Sequence, residues 1–232
     1  MVQLGYVKAL LVGKSVAYSR GTESAISKVP QYGRLALTKE GFVGDEVGDR
    51  RFHGGAEKAI HIYPSEHYEK WLEELGDREL FQQPGAFGEN LSSSGVTENS
   101  ICIGDEIQIG SALLQVSQGR MPCWKLNDRC GQPDMSLRLQ MTLRTGWYFR
   151  VLNEGELGKG DDLKLVSRGY PDWPISRIMR NIYQGTLDTN ELQHMLCLPL
   201  VESWRNLVNL RIETGVVENW SARLFGRRSY RS

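Results

Sequence analysis

The sequence predicts a mainly β fold with helices, a small barrel followed by a small C-terminal helical domain, and three observations lead there. Asp105-Glu106-Ile107-Gln108-Ile109 and Leu113-Leu114-Gln115-Val116 alternate at period two around a Gly110-Ser111 turn, the pattern of a hairpin of half-buried strands. A second hairpin pattern runs from Trp147 to Leu152, through Asn153-Glu154-Gly155-Glu156, and back from Asp162 to Val166. After two prolines, Pro171 and Pro174, no strand-like run follows and apolar residues recur at helical spacing. The expected division is a barrel domain over 1–170 and a helical domain over 171–232.

In chain order, Tyr6 to Val16 reads as a first strand and Gly33 to Thr38 as a short one. Pro64 is expected to open a helix whose buried face is Tyr68, Trp71, Leu72 and Leu75. Ser100 to Ile103 reads as a further strand and Ser136 to Arg144 as a helix. Beyond the prolines, Ile175, Ile178, Met179 and Ile182 define one helix. Thr189 or Asn190 can cap a second, and Val201, Trp204 and Val208 lie along a third. The arginine-rich tail, Arg223 to Arg231, reads as a solvated, frayed terminus.

Composition narrows the function. The 232 residues carry 28 basic and 28 acidic side chains, so no net field favours nucleic acid or a membrane surface. No apolar run reaches membrane-spanning length and the first residues lack a secretory pattern, so the expected setting is cytoplasmic, as a monomer or homodimer. The four cysteines show no CxxC spacing and read as reduced thiols. No Walker loop, GxGxxG, GxSxG or HExxH is present.

Three stretches hold chemistry, and a fourth, Ser24 to Lys28, has the composition of a phosphate contact. Cys123 follows the alternating run at a strand exit, with Arg120 and Lys125 beside it; cationic neighbours favour the thiolate, although a lone Cys is often simply buried. His53 precedes Gly54-Gly55, where the backbone must turn tightly or lie close to something bound. Glu89, in Phe87-Gly88-Glu89-Asn90-Leu91, is either solvated or aimed inward to orient a partner. The hydroxyls and amine of Ser24 to Lys28 can hold phosphate or form an ordinary loop.

Together these stretches resemble the MOSC family, the domain named after the C-terminal part of molybdenum-cofactor sulfurase. The matching blocks are Gly41-Phe42-Val43-Gly44-Asp45, Phe52-His53-Gly54-Gly55 with Lys58-Ala59 and Tyr63, Phe87 to Leu91, Gly104-Asp105, and Gln115 to Gln118 with Arg120, Pro122 and Cys123. They span about residues 5 to 168, and the helical patterns after them resemble the three-helix domain of the YiiM-type subgroup. The resemblance implies a β-barrel binding a molybdenum cofactor (molybdopterin), with Cys123 as the sulfur ligand to the metal. It implies reduction of N-hydroxylated compounds such as hydroxylaminopurines and hydroxylamines, with electrons from a separate flavoprotein reductase. His53, near neutral in titration, becomes a proton donor oriented by Glu89. Lys28, Arg51, Gly54, Gly55, Lys58, Asn90 and Arg120 become the cofactor-binding set. Two other readings keep the same thiol: a carrier or sulfur-transfer module without turnover, and a metal-free Cys-His-Glu hydrolase.

Overall fold

The computed structural model describes residues 1–49 and 53–226. Seven strands close into a barrel: β1 (Val2–Val12), β7 (Ile60–Pro64), β8 (Leu91–Ser94), β9 (Glu106–Ile109), β10 (Ala112–Gly119), β11 (Trp147–Asn153) and β13 (Asp162–Ser167). Their order is β13-β9-β10-β11-β7-β8-β1, and β1 returns to β13 to complete the ring. Neighbours run antiparallel except β7 and β8, which run parallel. Val2 to Tyr6 of β1 pair with β13, whereas Leu10 to Val12 pair with β4 (Val29–Gln31) outside the ring. Closure leaves no long open edge.

Alternation sets which side chains enter. On β7, Ile60 and Ile62 join the barrel core while His61 between them points to the other face; on β11, Trp147, Phe149 and Val151 enter and Tyr148 does not. The outward His61–Tyr148 pair has ring centroids 5.0 Å apart, and five further short strands lie outside the ring. These are β2 (Val16–Tyr18), β3 (Thr22–Ser24), β5 (Arg34–Thr38), β6 (Gly41–Phe42) and β12 (Gly155–Gly158). β12 pairs with β5, so Gly155 and Glu156, read as the second half of a hairpin turn, open a strand of their own.

Helix α1 (Glu66–Leu75) begins two residues later than expected, because Pro64 ends β7 opposite Ser93. Its Tyr68 and Trp71 build a second apolar cluster outside the barrel with Tyr63, Phe81 and Phe87. Leu126 and Cys130 of α2 (Lys125–Cys130) and Met135 and Leu139 of α3 (Met135–Thr142) complete it. Ser100 to Ile103 is a turn with one bridge, Cys102 to Pro174.

The last third contains α4 (Ile175–Tyr183), α5 (Thr189–Leu196), α6 (Glu202–Thr214) and the short α7 (Ser221–Phe225). Asp188, not Thr189 or Asn190, caps α5, accepting from the Glu191 N–H at 2.9 Å. Ile175, Ile178, Met179 and Ile182 of α4 share one continuous apolar cluster with the barrel residues. Gly119 permits this approach, since a Cβ there would meet the Met179 side chain. Among the described residues no helix is long and apolar enough to cross a membrane.

Candidate active site

A cavity of about 640 Å³ opens over the outward face of β7 and β11, a size suited to a cofactor-scale ligand. Cys123, His53, Gly54, Gly55, Lys58, Lys28, Asn90 and Arg120 all line it, so blocks scattered over nearly a hundred residues of sequence meet on one wall system. Arg51 lies outside the described residues.

Cys123 leaves β10 on the loop Arg120 to Trp124 and is half-buried. Its Sγ lies 3.7 Å from His53 Nε2, a thiol–imidazole contact at the cavity mouth. Arg120 is anchored through its main chain: its N–H donates to Gly146 O at 3.1 Å and its carbonyl accepts from Tyr183 Oη of α4 at 2.6 Å. The barrel and the helical region thus grip the residue together. Its side chain is only 7% exposed, and Nη1 is buried without a hydrogen-bond partner among the described residues. A buried guanidinium with an unmet donor is costly unless an anion completes it, which makes Arg120 the clearest anion receptor in the cavity.

The other cations are more engaged. Lys28 Nζ forms a buried ion pair with Asp45, whose Oδ1 also accepts the Gly13 N–H at 2.7 Å. Burial pushes the Lys28 amine below its usual value, with Asp45 opposing the shift. Burial likewise lowers Lys58. Lys125 Nζ donates to Glu23 O at 2.6 Å. Gly55, at φ 93°, adopts a conformation suited to glycine and leaves open space where a side chain would stand.

Three expected roles are revised. His53 does not titrate near neutrality: crowding by protein, then the charges of Lys125, Arg120 and Lys58, push it down to about 4. The ring is neutral at pH 7, so it accepts or relays a proton rather than storing one, and an anion seated on those cations would raise it again. Glu89 does not orient His53. Its carboxylate is fully buried, accepting from Gly85 N at 2.7 Å, Phe87 N at 3.1 Å and the Tyr68 hydroxyl, and it is not on the cavity wall. A Cys-His-Glu triad is therefore not assembled. Asn90 lines the cavity with its polar atoms already used: Nδ2 donates to Asp45 Oδ2 at 2.8 Å and Leu11 O at 3.3 Å, and Oδ1 accepts the His61 N–H at 3.2 Å. It holds Asp45 in place.

Residues not singled out from sequence include Tyr148, Asp45 and His61. His61 Nε2 faces Thr145 O at 3.1 Å, and burial keeps the ring well below its usual value. The signal for Tyr148 was the alternation of β11, which turns it away from the barrel core.

Arg120→Met is expected to weaken inorganic phosphate binding to the metal-free protein by about tenfold or more, the scale of one charge-assisted hydrogen bond (about 1.5–3 kcal/mol). Calorimetric titration checks it. The melting temperature should change little, because the substitution removes a buried donor, Nη1, that has no partner among the described residues; unchanged phosphate affinity would refute the receptor assignment.

The MOSC domain description matches residues 49–164, and the YiiM-like, 3-alpha helix domain description matches residues 173–215. Protein YiiM of Escherichia coli is 37% identical over 224 residues, covering 96% of this chain and 99% of that protein. The crystal structure of YiiM from Escherichia coli superposes with a TM-score of 0.81 at 32% identity, covering 96% of this chain and 99% of that one. A Gibberella moniliformis protein named "Reductase" is 33% identical over 92% of this chain, which spans 37% of that relative's length. With the closed barrel, the helical region behind Arg120 and both descriptions in register with them, the chain belongs to the MOSC domain family, in its YiiM-like branch.

Proposed function

We propose that this protein is a molybdenum-cofactor-dependent oxidoreductase that reduces N-hydroxylated compounds, receiving electrons from a flavoprotein donor. The single observation that supports it most is the cavity itself: a thiol and a neutral imidazole in contact at its mouth, with an Arg120 nitrogen buried in its wall that has no partner among the described residues. That donor set fits a pterin cofactor at both ends. Cys123 would supply a soft thiolate to the metal, and Arg120, with Lys58 and Lys125 nearby, would meet the cofactor's phosphate. The bound cofactor supplies the two-electron centre that the side chains lack.

The balance of the reaction is R–NH–OH + 2 e⁻ + 2 H⁺ → R–NH₂ + H₂O, so the chain must deliver protons at the nitrogen–oxygen bond. His53 is the side chain placed to relay them, neutral before ligand binds and more basic once an anion offsets the surrounding cations. Tyr148 and His61 form the floor of the cavity, their ring centroids 5.0 Å apart. Family membership and the relative named as a reductase support redox chemistry in general.

The test is protein made in a cofactor-competent host and assayed for hydroxylamine and N-hydroxylated base reduction with an artificial electron donor. Consumption of substrate that depends on retained molybdenum is the expected result. Retained metal with no substrate consumed would favour a carrier or sulfur-transfer module instead.

A further inference from the structure

Behind the Cys123 loop lies the end of the described chain, beyond the residues matched by either family description. Of the arginine-rich tail read from sequence as frayed, Arg223 to Phe225 belong to the helix α7 (Ser221–Phe225), folded back against the thiol loop, and the residues from 227 onward lie outside the described residues. Its hydrogen bonds bracket Cys123 on both sides. The Trp124 N–H donates to Arg223 O at 2.8 Å, and Arg223 Nη1 donates to Pro122 O at 3.1 Å. One residue of α7 therefore holds the peptide groups immediately before and after the thiol.

The surroundings fix Arg223 in turn. Its Nη2 donates to Gln140 Oε1 of α3 at 3.0 Å, and its guanidinium lies over the Trp220 ring at 4.2 Å. Leu224 is buried, and its carbonyl accepts from Asn127 Nδ2 and from Ser136 Oγ, each at 2.7 Å. Arg20, from the far end of the sequence, donates to Phe225 O at 2.8 Å and stacks over Trp124 at 4.4 Å. Gly226 follows at φ 80°, where a Cβ would collide with the Arg20 guanidinium. Elsewhere the loop is tied at Arg120, to Gly146 and Tyr183, and at the Cys123 carbonyl, which accepts the Leu126 N–H at 3.0 Å; α7 adds the bonds to the Pro122 carbonyl and the Trp124 N–H on either side of the thiol.

We propose that Trp220 to Gly226 is a positioning strap for Cys123, with Arg223 as the residue that fixes the thiol at the cavity mouth opposite His53. The consequence for catalysis rests on the reading of Cys123 as the site thiol, but the mechanical statement does not. A site side chain is effective only when its support holds it to within a fraction of an ångström, and here part of that support comes from the last helix of the described chain.

The test uses metal-free protein, as wild type, Arg223→Gln, Arg223→Lys, a chain ended after Asn219 and a chain ended after Gly226. Each is alkylated at pH 7 with iodoacetamide and, separately, with a bulky fluorescein maleimide, and label at each cysteine is quantified by mass spectrometry. The ratio of the bulky to the small reagent's rate cancels the thiolate fraction and reports steric access alone. In Arg223→Gln and in the chain ended after Asn219 the ratio at Cys123 is expected to rise threefold or more, while that at the exposed Cys197 stays constant. Arg223→Lys, able to reach one of the two acceptors, should fall between. The chain ended after Gly226 should match wild type. A wild-type ratio at Cys123 in folded Arg223→Gln overturns the proposal, and that variant decides if the shorter chain does not fold. Cofactor-loaded Arg223→Gln is expected to retain at most a third of wild-type molybdenum. Wild-type retention there, with loss in Cys123→Ser, would also overturn the link to the site. If Cys123→Ser itself retains molybdenum, the ligand reading has failed and the alkylation ratio alone decides the strap.

Discussion

Cys123→Ser is expected to leave a folded protein with less than a tenth of the wild-type molybdenum and with kcat/KM for N-hydroxylated substrates lower by about 10³ or more, a loss of roughly 4 kcal/mol. The two side chains differ by one atom, but an alcohol stays protonated where a thiol ionises and is a far poorer donor to a soft metal. The thiol's Sγ contacts His53 and faces the cavity rather than the core, so the melting temperature should stay within about 2 °C of wild type, as for surface changes generally. Elemental analysis beside a thermal melt separates the effects. Full metal retention would move the ligand elsewhere, and equal loss of metal and stability would make Cys123 a packing residue.

How this arrangement could be read in advance depends on the range of each interaction. The β10 alternation and the Gly-Ser turn are local, so the hairpin and the strand exit bearing Cys123 were visible in sequence. Barrel closure was visible only as a class: Val2 pairs with Leu165, and no local pattern specifies that partner. Cys123, His53, Gly55 and Arg120 meet in one cavity, as their joint occurrence in the matching blocks suggested. The state of His53 was not legible, because its low proton affinity arises from the protein crowded around the ring and from the charges of Lys125, Arg120 and Lys58, which the fold gathers about it. The strap was hidden for the same reason. Arg223 looks like one more charge in a basic tail, and only tertiary contacts with Pro122 and Trp124 reveal its place.

Glu89→Ala is expected to cost about 3–5 kcal/mol and to lower the melting temperature by about 10 °C, an effect of folding and not of chemistry. A glutamate before an asparagine in a glycine-bearing loop invites a catalytic role, yet its carboxylate is spent on the loop Gly85 to Phe87 and on Tyr68. Removing it strands the Phe87 N–H, leaves the Gly85 N–H with the Tyr68 hydroxyl alone, and opens a void in the loop that carries Phe87, whose ring stacks on Tyr63 at 4.3 Å. Tyr68 retains part of the load, since its hydroxyl oxygen also accepts from Gly85 N at 3.1 Å and Ala86 N at 3.2 Å; burial and Glu89 push its own ionisation well above the usual range, so it remains a donor. Glu89→Gln keeps one acceptor oxygen in a side chain of the same shape and should cost less than half as much. The same loop is tied to α2 through Arg129, which donates to Ala86 O at 3.0 Å and to Gly85 O at 2.9 Å, so the damage reaches the helix that follows Cys123. Thermal melts of both variants, with activity measured well below the transition, decide the matter. A variant of wild-type stability that has lost kcat would return Glu89 to the chemistry.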